Sequence, residues 1–473
     1  MGSSWTHGAS VATMTADLSA EVVVVGLGVG GESVAGQLAD AGLDVIGIEN
    51  ELVGGECPYW GCIPSKMMLR AANLLAEARR IPGMAGDSSV HPDWAPVAAR
   101  IREEATDSWD DTAAVDRFVG KGGRFVRGKA RIIDPRQVEV PGTGTILARR
   151  ALVIGTGTVP SIPPIQGLAD TPYWTNRQAI EAETLPQSLI VIGGGAIGCE
   201  IGQAYAGFGV EVTIAEVADR LLAAEDEVAG PLLAEALTSE GIALHLGANI
   251  TGVEHDGERF TVRLGDGEPL LGERLLVATG RRPSMSAEDW DALGLRGRPG
   301  PLPTNGQMRV GEGVWAVGDI TGKGAFTHMA TYQADIAVRD ILGTPGPDAD
   351  YRAVPRVAFT DPEIGGVGLT EAQAREQGIA VAIGSTEIPS TARGWIHKAG
   401  NTGLIKLIVD TDNDTLVGAV SAGPTGGEVL SALAVAVQAQ VPISTLEHMI
   451  YAYPTFHRGI QDAIRDLRDN AQA

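Results

Sequence analysis

Cysteine is nearly absent from this chain, with three residues in 473, at positions 57, 62 and 199. That scarcity excludes a disulfide-stapled secreted scaffold and fits a reducing cytoplasm, where a close thiol pair serves chemistry. Basic residues are also short, 36 Lys and Arg against 59 Asp and Glu, for a net charge of −23. Such a chain has little with which to neutralise phosphates, so nucleic acid is excluded as a partner. No run approaches the ~20 apolar residues that span a bilayer, so no membrane partner is expected. Residues 1–20 lack the basic start and apolar core of a signal peptide, and we expect 1–19 to be a disordered leader. The eight histidines show no ligand spacing, and no metal site is expected.

Glycine is abundant, with 63 residues in a chain that is 44% hydrophobic and rich in Val, Ile and Ala runs. Glycine supplies tight turns between strands and helices, which points to α/β architecture. A chain of this length exceeds what one core supports, so two or three domains are expected.

One pattern occurs twice. A strand over 21–25 runs into Gly26-Leu27-Gly28-Val29-Gly30-Gly31, a helix over 32–41 and a strand over 44–48 ending at Glu49. A strand over 188–192 runs into Gly193-Gly194-Gly195-Ala196-Ile197-Gly198, a helix, and a strand over 210–215 ending at Glu216. First glycine and acid are 23 positions apart in both copies. One such fingerprint is weak evidence, but two with the same offset are strong evidence for two dinucleotide sites. The first glycine makes the turn, the second admits the pyrophosphate, and the third lets helix and strand close. The helix N-terminus faces the negative charge, and Glu49 or Glu216 accepts from ribose hydroxyls.

Two hydrophobic strands end in Thr-Gly turns, at Thr156-Gly157 and Thr279-Gly280, and 313–318 delivers the carboxylate of Asp319 at a strand's C-terminal end. From about residue 351 strands over 356–359, 404–409 and 416–420 mix with helices over 371–377 and 427–441, an α+β pattern.

The segment Gly54-Gly55-Glu56-Cys57-Pro58-Tyr59-Trp60-Gly61-Cys62-Ile63-Pro64-Ser65-Lys66 follows the first fingerprint and holds two of the three cysteines. Thiols five positions apart, ahead of a helix over 66–79, can close into a small disulfide, and the helix's positive end favours a thiolate on reduction. A loop this short restrains little of the unfolded chain, which disfavours a purely structural bridge. Cys57 and Cys62 therefore read as a redox pair beside a dinucleotide.

These motifs, in this order, resemble the FAD-dependent pyridine nucleotide–disulfide oxidoreductases of the dihydrolipoamide dehydrogenase, glutathione reductase and mercuric reductase type. The resemblance covers about residues 20–465 and includes Pro355-Arg356-Val357-Ala358-Phe359-Thr360-Asp361-Pro362-Glu363, a dimerisation-domain signature. It implies two doubly wound (Rossmann-like) α/β domains binding FAD (20–160 and 283–348) and NAD(P) (161–282). A C-terminal α+β dimerisation domain (349–473) would complete a homodimer. It implies that Gly26, Gly28, Gly31 and Glu49 hold the ADP half of FAD. By the same resemblance Asp319 would meet the ribityl chain, and Gly55, Thr156, Gly157 and Gly280 would belong to the cofactor sites. Gly193, Gly195, Gly198 and Glu216 would hold the nicotinamide dinucleotide, with NAD favoured over NADP because a carboxylate repels a 2′-phosphate. Lys66 would pair with Glu200 beside the flavin. Cys62 would be the flavin-side thiol and Cys57 the one that attacks substrate.

The chain departs from that pattern twice. Where disulfide reductases of this family carry a His-Pro-Thr segment with an orienting glutamate, this chain reads Tyr453-Pro454-Thr455-Phe456-His457-Arg458. A tyrosine is a poor base at neutral pH. His457 stands one turn further on if Pro454 opens a helix, and is the substitute candidate. Between the cysteines, Pro58 and the aromatics Tyr59 and Trp60 stand where relatives commonly carry a small aliphatic–Asn–aliphatic run. They could wall a flat substrate or pack against the helix. No cysteine follows Cys199, which disfavours a C-terminal metal relay and reads as a core residue.

We therefore expect a cytoplasmic FAD-dependent NAD(P)H oxidoreductase cycling Cys57 and Cys62 and passing electrons to a small disulfide or quinone-like acceptor. The alternatives are an NADH-dependent quinone or dye reductase, thiol-based carbon chemistry, or a flavin-bound redox sensor with little turnover.

Overall fold

A computed structural model of the chain describes residues 18–472 apart from 266, 296, 298 and 299. The expected leader lies outside the described residues except for Leu18 and Ser19, which already belong to the first strand. The chain divides into two compact units.

The first unit holds the described residues up to Gly55, with Asp111–Thr158 and Pro283–Ala349. Its core is an eight-stranded sheet whose parallel centre runs Val314–Ala316, Gly144–Ile154, Leu18–Val25, Val45–Glu49 and Arg124–Arg127. The central strand reads as a continuous apolar run because parallel strands are covered on both faces; Val22, Val23 and Val24 are fully buried. The helix Val29–Asp40 packs on this sheet and against a second helix, Thr327–Leu342. Gly30 permits the approach, since a Cβ there would stand 3.2 Å from Val317 and 3.3 Å from Ala330.

The second unit holds Glu56–Asp110, Val159–Arg282 and the described residues from Asp350. It contains a parallel sheet in the order Ala243–Leu246, Glu211–Glu216, Ser188–Ile192, Arg274–Val277. Each unit thus places its glycine loop after a central strand, with the acid-bearing strand on one side and the Thr-Gly strand on the other. A five-stranded sheet in the order Pro355–Ala358, Glu363–Gly368, Thr415–Gly423, Leu404–Asp410, Val381–Glu387 is antiparallel throughout. Helices Gly426–Gln438 and Gly459–Gln472 pack on it.

The long helix Cys62–Arg79 lies against the second glycine helix, Ala196–Gly207. Met68, Leu69 and Ala72 join Cys199, Ile201 and Tyr205 in one buried cluster. Burial of a side chain such as Met68 or Leu69 contributes about 2 kcal/mol, and Arg79 adds a hydrogen bond to Gly207 O at 2.8 Å. The helix expected over 66–79 starts four residues earlier. Gly61 ends the short helix Glu56–Trp60 and caps the long one, so each cysteine stands on its own helix.

A second difference concerns Pro454. No helix opens there: Thr455 Oγ1 turns back to Ala452 O at 2.7 Å, and the helix begins only at Gly459. Gly459, Ile460 and Gln461 donate to carbonyls three residues back, so Phe456 to Arg458 form the turn that leads into it.

Candidate active site

The glycine loops agree down to their hydrogen bonds. Glu49 accepts from Leu27 N and Glu51 N, both at 2.8 Å. Glu216 accepts from Gly194 N at 2.5 Å and Ala218 N at 2.8 Å. Each acid thus secures the amide following the first glycine, and its oxygens retain lone pairs for a ribose hydroxyl. Gly26 (φ 87°) and Gly193 (φ 115°) occupy the left-handed region, where a side chain is strained. A Cβ on Gly31 would overlap Gly26 O, and one on Gly198 would overlap Gly193 O, which is why helix and strand close there. Gly28 and Gly195 have open space around a Cβ position, and neither helix N-terminus carries a side-chain cap. Uncapped helix amides beside glycines with room for a close approach suit a pyrophosphate.

Around the first loop, Gly55 (φ 68°) brings its backbone against Gly28, with a Cβ position 2.9 Å from Gly28 Cα. Thr156 Oγ1 is buried and has no partner among the described residues, a hydroxyl suited to a bound cofactor. Gly157 follows at φ 64°. Asp319, after the strand Val314–Ala316, accepts from Thr158 Oγ1 at 2.9 Å. In the second unit Thr279 Oγ1 instead donates to Ser161 O at 2.6 Å, and Gly280 follows at φ 100°. The residues present fit two dinucleotides.

Cys57 is half-buried on Glu56–Trp60, and Cys62 is exposed at the start of Cys62–Arg79. One turn on, Lys66 Nζ lies 2.7 Å from Glu200 Oε2. Glu200 is buried, and its other oxygen accepts from Phe359 N at 2.8 Å. The Phe359 ring lies 4.7 Å from the ammonium. Both carboxylate oxygens are therefore engaged, and Lys66 has one fixed orientation. Cys199 sits within the second glycine helix, its Sγ 3.3 Å from Gly194 O, and burial pushes its thiol pKa far up. It stays protonated, as a core residue.

Tyr59 and Trp60 are 6% and 8% exposed. Trp60 Nε1 donates to Glu181 at 2.6 Å, and the Arg177 guanidinium lies 4.2 Å from the ring. Of the two arrangements open from sequence, Trp60 takes the packed one. Tyr453 is 69% exposed, with the Arg458 guanidinium 5.2 Å from its ring. His457 lies 6.0 Å from the Tyr451 ring, and among the described residues no carboxylate pairs with it.

Sequence reasoning missed Phe359, although it lies within the quoted 355–363 signature. It also missed Asn176, Arg177 and Arg281, which converge on Glu56. Arg281 directly follows the Thr-Gly turn and could have been noticed; Asn176 and Arg177 belong to a helix start without any chemical signature.

Two dinucleotide folds and a cysteine pair on adjoining helices define a two-cofactor redox enzyme. The pyridine nucleotide-disulphide oxidoreductase family matches residues 20–334, and that family's dimerisation domain matches 354–464. The chain belongs to this family. It is 31% identical over 466 residues to a dihydrolipoyl dehydrogenase of Haloferax volcanii, covering 95% of this chain and 97% of that one. It is 30% identical over 446 residues to a Staphylococcus aureus mercuric reductase, covering 93% and 81%. Among solved structures it resembles the HOCl-induced flavoprotein disulfide reductase RclA from Escherichia coli, with TM-score 0.82 and 26% identity over 94% of this chain and 99% of that one. The protein is accordingly a flavoprotein oxidoreductase of the NAD(P)H-dependent disulfide reductase type, with FAD and NAD as cofactors. Among the described residues no helix is long and apolar enough to cross a membrane.

Proposed function

We propose that this enzyme takes electrons from NADH, passes them to the Cys57–Cys62 pair, and delivers them from Cys57 to a small disulfide or another two-electron acceptor. One observation carries the reading: Lys66, one turn into the helix that Cys62 opens, is fixed by a buried carboxylate at 2.7 Å. A cation held beside a redox cysteine balances the charge that reduction brings. Bound FAD supplies the electron-pair relay between nicotinamide and disulfide.

Gly26, Gly28, Gly31, Glu49, Gly55, Thr156, Gly157 and Asp319 are the FAD residues in this reading. Gly193, Gly195, Gly198, Glu216 and Gly280 are the nicotinamide dinucleotide residues. NADH is preferred because Glu216 repels a 2′-phosphate. Arg220, the nearby cation, donates within its own loop to Ala223 O at 2.9 Å and Glu225 O at 3.3 Å. Residues 20–160 with 283–348 form the flavin domain, 161–282 the nicotinamide domain, and 349–473 the interface of a homodimer in the reducing cytoplasm. Exposed apolar side chains of that last domain, Trp395 at 76% and Ile450 at 96%, support a covering partner copy.

A second reading, reduction of a quinone-like acceptor, rests on the exposed Tyr453 and on a His457 that no carboxylate orients among the described residues. Thiol–disulfide exchange needs a group to park a proton; quinone reduction makes no such demand on this segment.

An anaerobic NADH titration followed by absorbance separates the two. Long-wavelength charge-transfer absorption at one equivalent supports electron arrival at Cys62. Bleaching of the flavin without that band removes the cysteine pair from the path.

A further inference from the structure

Glu56 immediately precedes Cys57, and its carboxylate is the centre of a polar cluster. It accepts from Arg177 Nε at 2.8 Å and Nη2 at 2.6 Å, from Asn176 Nδ2 at 3.0 Å, and has Arg281 Nη1 at 3.6 Å. Two donors of one guanidinium on one carboxylate fix orientation as well as distance. At the other end of the same five-residue helix, Trp60 is held three ways: Nε1 to Glu181 at 2.6 Å, O from Asn176 Nδ2 at 2.7 Å, and its ring against Arg177 at 4.2 Å. Asn176, Arg177 and Glu181 all belong to a single helix, Asn176–Glu181, which opens with a Thr175 capping box. The Cys57 helix is therefore clamped at both ends to one neighbouring element. A helix this short has no stability of its own, so the clamp decides where Cys57 stands. Cys62 is positioned separately, by the long helix and its buried face.

We infer that Glu56, Arg177 and Trp60 are positioning residues that hold Cys57 at exchange distance from Cys62. The inference rests on the reading of Cys57 as the exchange thiol. In that exchange the Cys57 thiolate attacks one sulfur of a disulfide RSSR, forming Cys57–S–S–R and releasing RS⁻, which takes up a proton. The Cys62 thiolate then attacks the Cys57 sulfur, re-forming the Cys57–Cys62 bond and releasing the second RS⁻. Two electrons pass from dithiol to disulfide. The second step is intramolecular, and its rate depends on sulfur-to-sulfur placement. The clamp acts there.

The test is a stopped-flow comparison of Glu56→Gln, Arg177→Met and Trp60→Phe with the parent holoenzyme. Each is reduced anaerobically with NADH and reoxidised with hydroxyethyl disulfide, a reagent that accessible thiolates attack. Reduction, read as the charge-transfer band, is expected within about twofold of the parent. Reoxidation is expected to slow by about tenfold or more, with the Cys57 mixed disulfide accumulating by mass. Glu56→Asp, which keeps the charge, restores part of the rate. Unchanged reoxidation overturns the proposal. So does a parallel loss of both half-reactions with a lowered melting temperature, which marks a merely structural cluster. Cys57→Ser is the control for the underlying reading: normal reoxidation there removes Cys57 from the reaction whatever the clamp variants do.

Discussion

The two glycine loops are built from the same parts, and they differ in what surrounds them. Both acids make the same pair of backbone hydrogen bonds. Glu49 is buried, however, whereas Glu216 is half-buried. The second position after the second glycine is closed in one unit and open in the other. Gly30 packs against Val317 and Ala330, while its counterpart Ile197 is 37% exposed. Thr156 keeps a buried hydroxyl without a partner among the described residues, but Thr279 satisfies its own at Ser161. We read the first loop as shaped around a resident molecule and the second as complete without one. A cofactor that stays and a cosubstrate that leaves demand that difference.

The largest effect is expected from filling each third glycine. Gly31→Ala and Gly198→Ala both place a methyl group on a backbone carbonyl and are each expected to cost about 3 kcal/mol or more. Their consequences diverge. Gly31→Ala is expected to purify with little flavin, whereas Gly198→Ala keeps its flavin absorbance and is not reduced by NADH. Flavin content and an NADH titration of both proteins decide this, and equal flavin loss in the two would erase the distinction.

A smaller effect sharpens the contrast between the two glycine helices. The second carries Glu200 where the first carries Ser33, so only the second buries a carboxylate at that position. Lys66→Met leaves that carboxylate without its cation and is expected to lower stability by about 1–3 kcal/mol. The further change Glu200→Gln in the same chain should recover much of the loss. Denaturant midpoints of the single and double variants measure the coupling.

The smallest expected effect is a pH dependence belonging to the first loop. Burial raises the Glu49 pKa above its ordinary value of 4.5, against the opposing backbone hydrogen bonds from Glu51 and Leu27. A raised folded-state pKa means that the folded form holds its proton more tightly than the unfolded chain. The stabilisation is therefore complete below 4.5 and is lost as pH rises through the folded value. Glu49→Gln is expected to remove this slope, seen by comparing melting temperatures of the two proteins from acidic to neutral pH. Parallel profiles would assign the slope to other groups.

Much of the architecture was legible because it is periodic and local. Both glycine loops, both acids and the strand before Asp319 follow from spacing alone, since turn geometry leaves few residue choices. Helix starts were less legible. The long helix begins at Cys62 because Gly61 caps it, and the sequence run from 66 onward carries no sign of that. Pro454 suits a helix's first position, yet a side-chain bond from Thr455 to Ala452 holds a turn there instead.

The family, the two dinucleotide folds, the close cysteine pair and the loss of the histidine could be read from the chain alone, because each is written in contiguous residues at fixed spacing. How those pieces are held depends on long-range packing. Phe359 reaches Glu200 across 159 positions, and Arg177 reaches Glu56 across 121. Trp60 could have faced a substrate or the protein, and the partners that settled it are set by how the chain folds back on itself. Contacts of that separation have no period to read, since they are fixed by packing rather than by the neighbours along the chain.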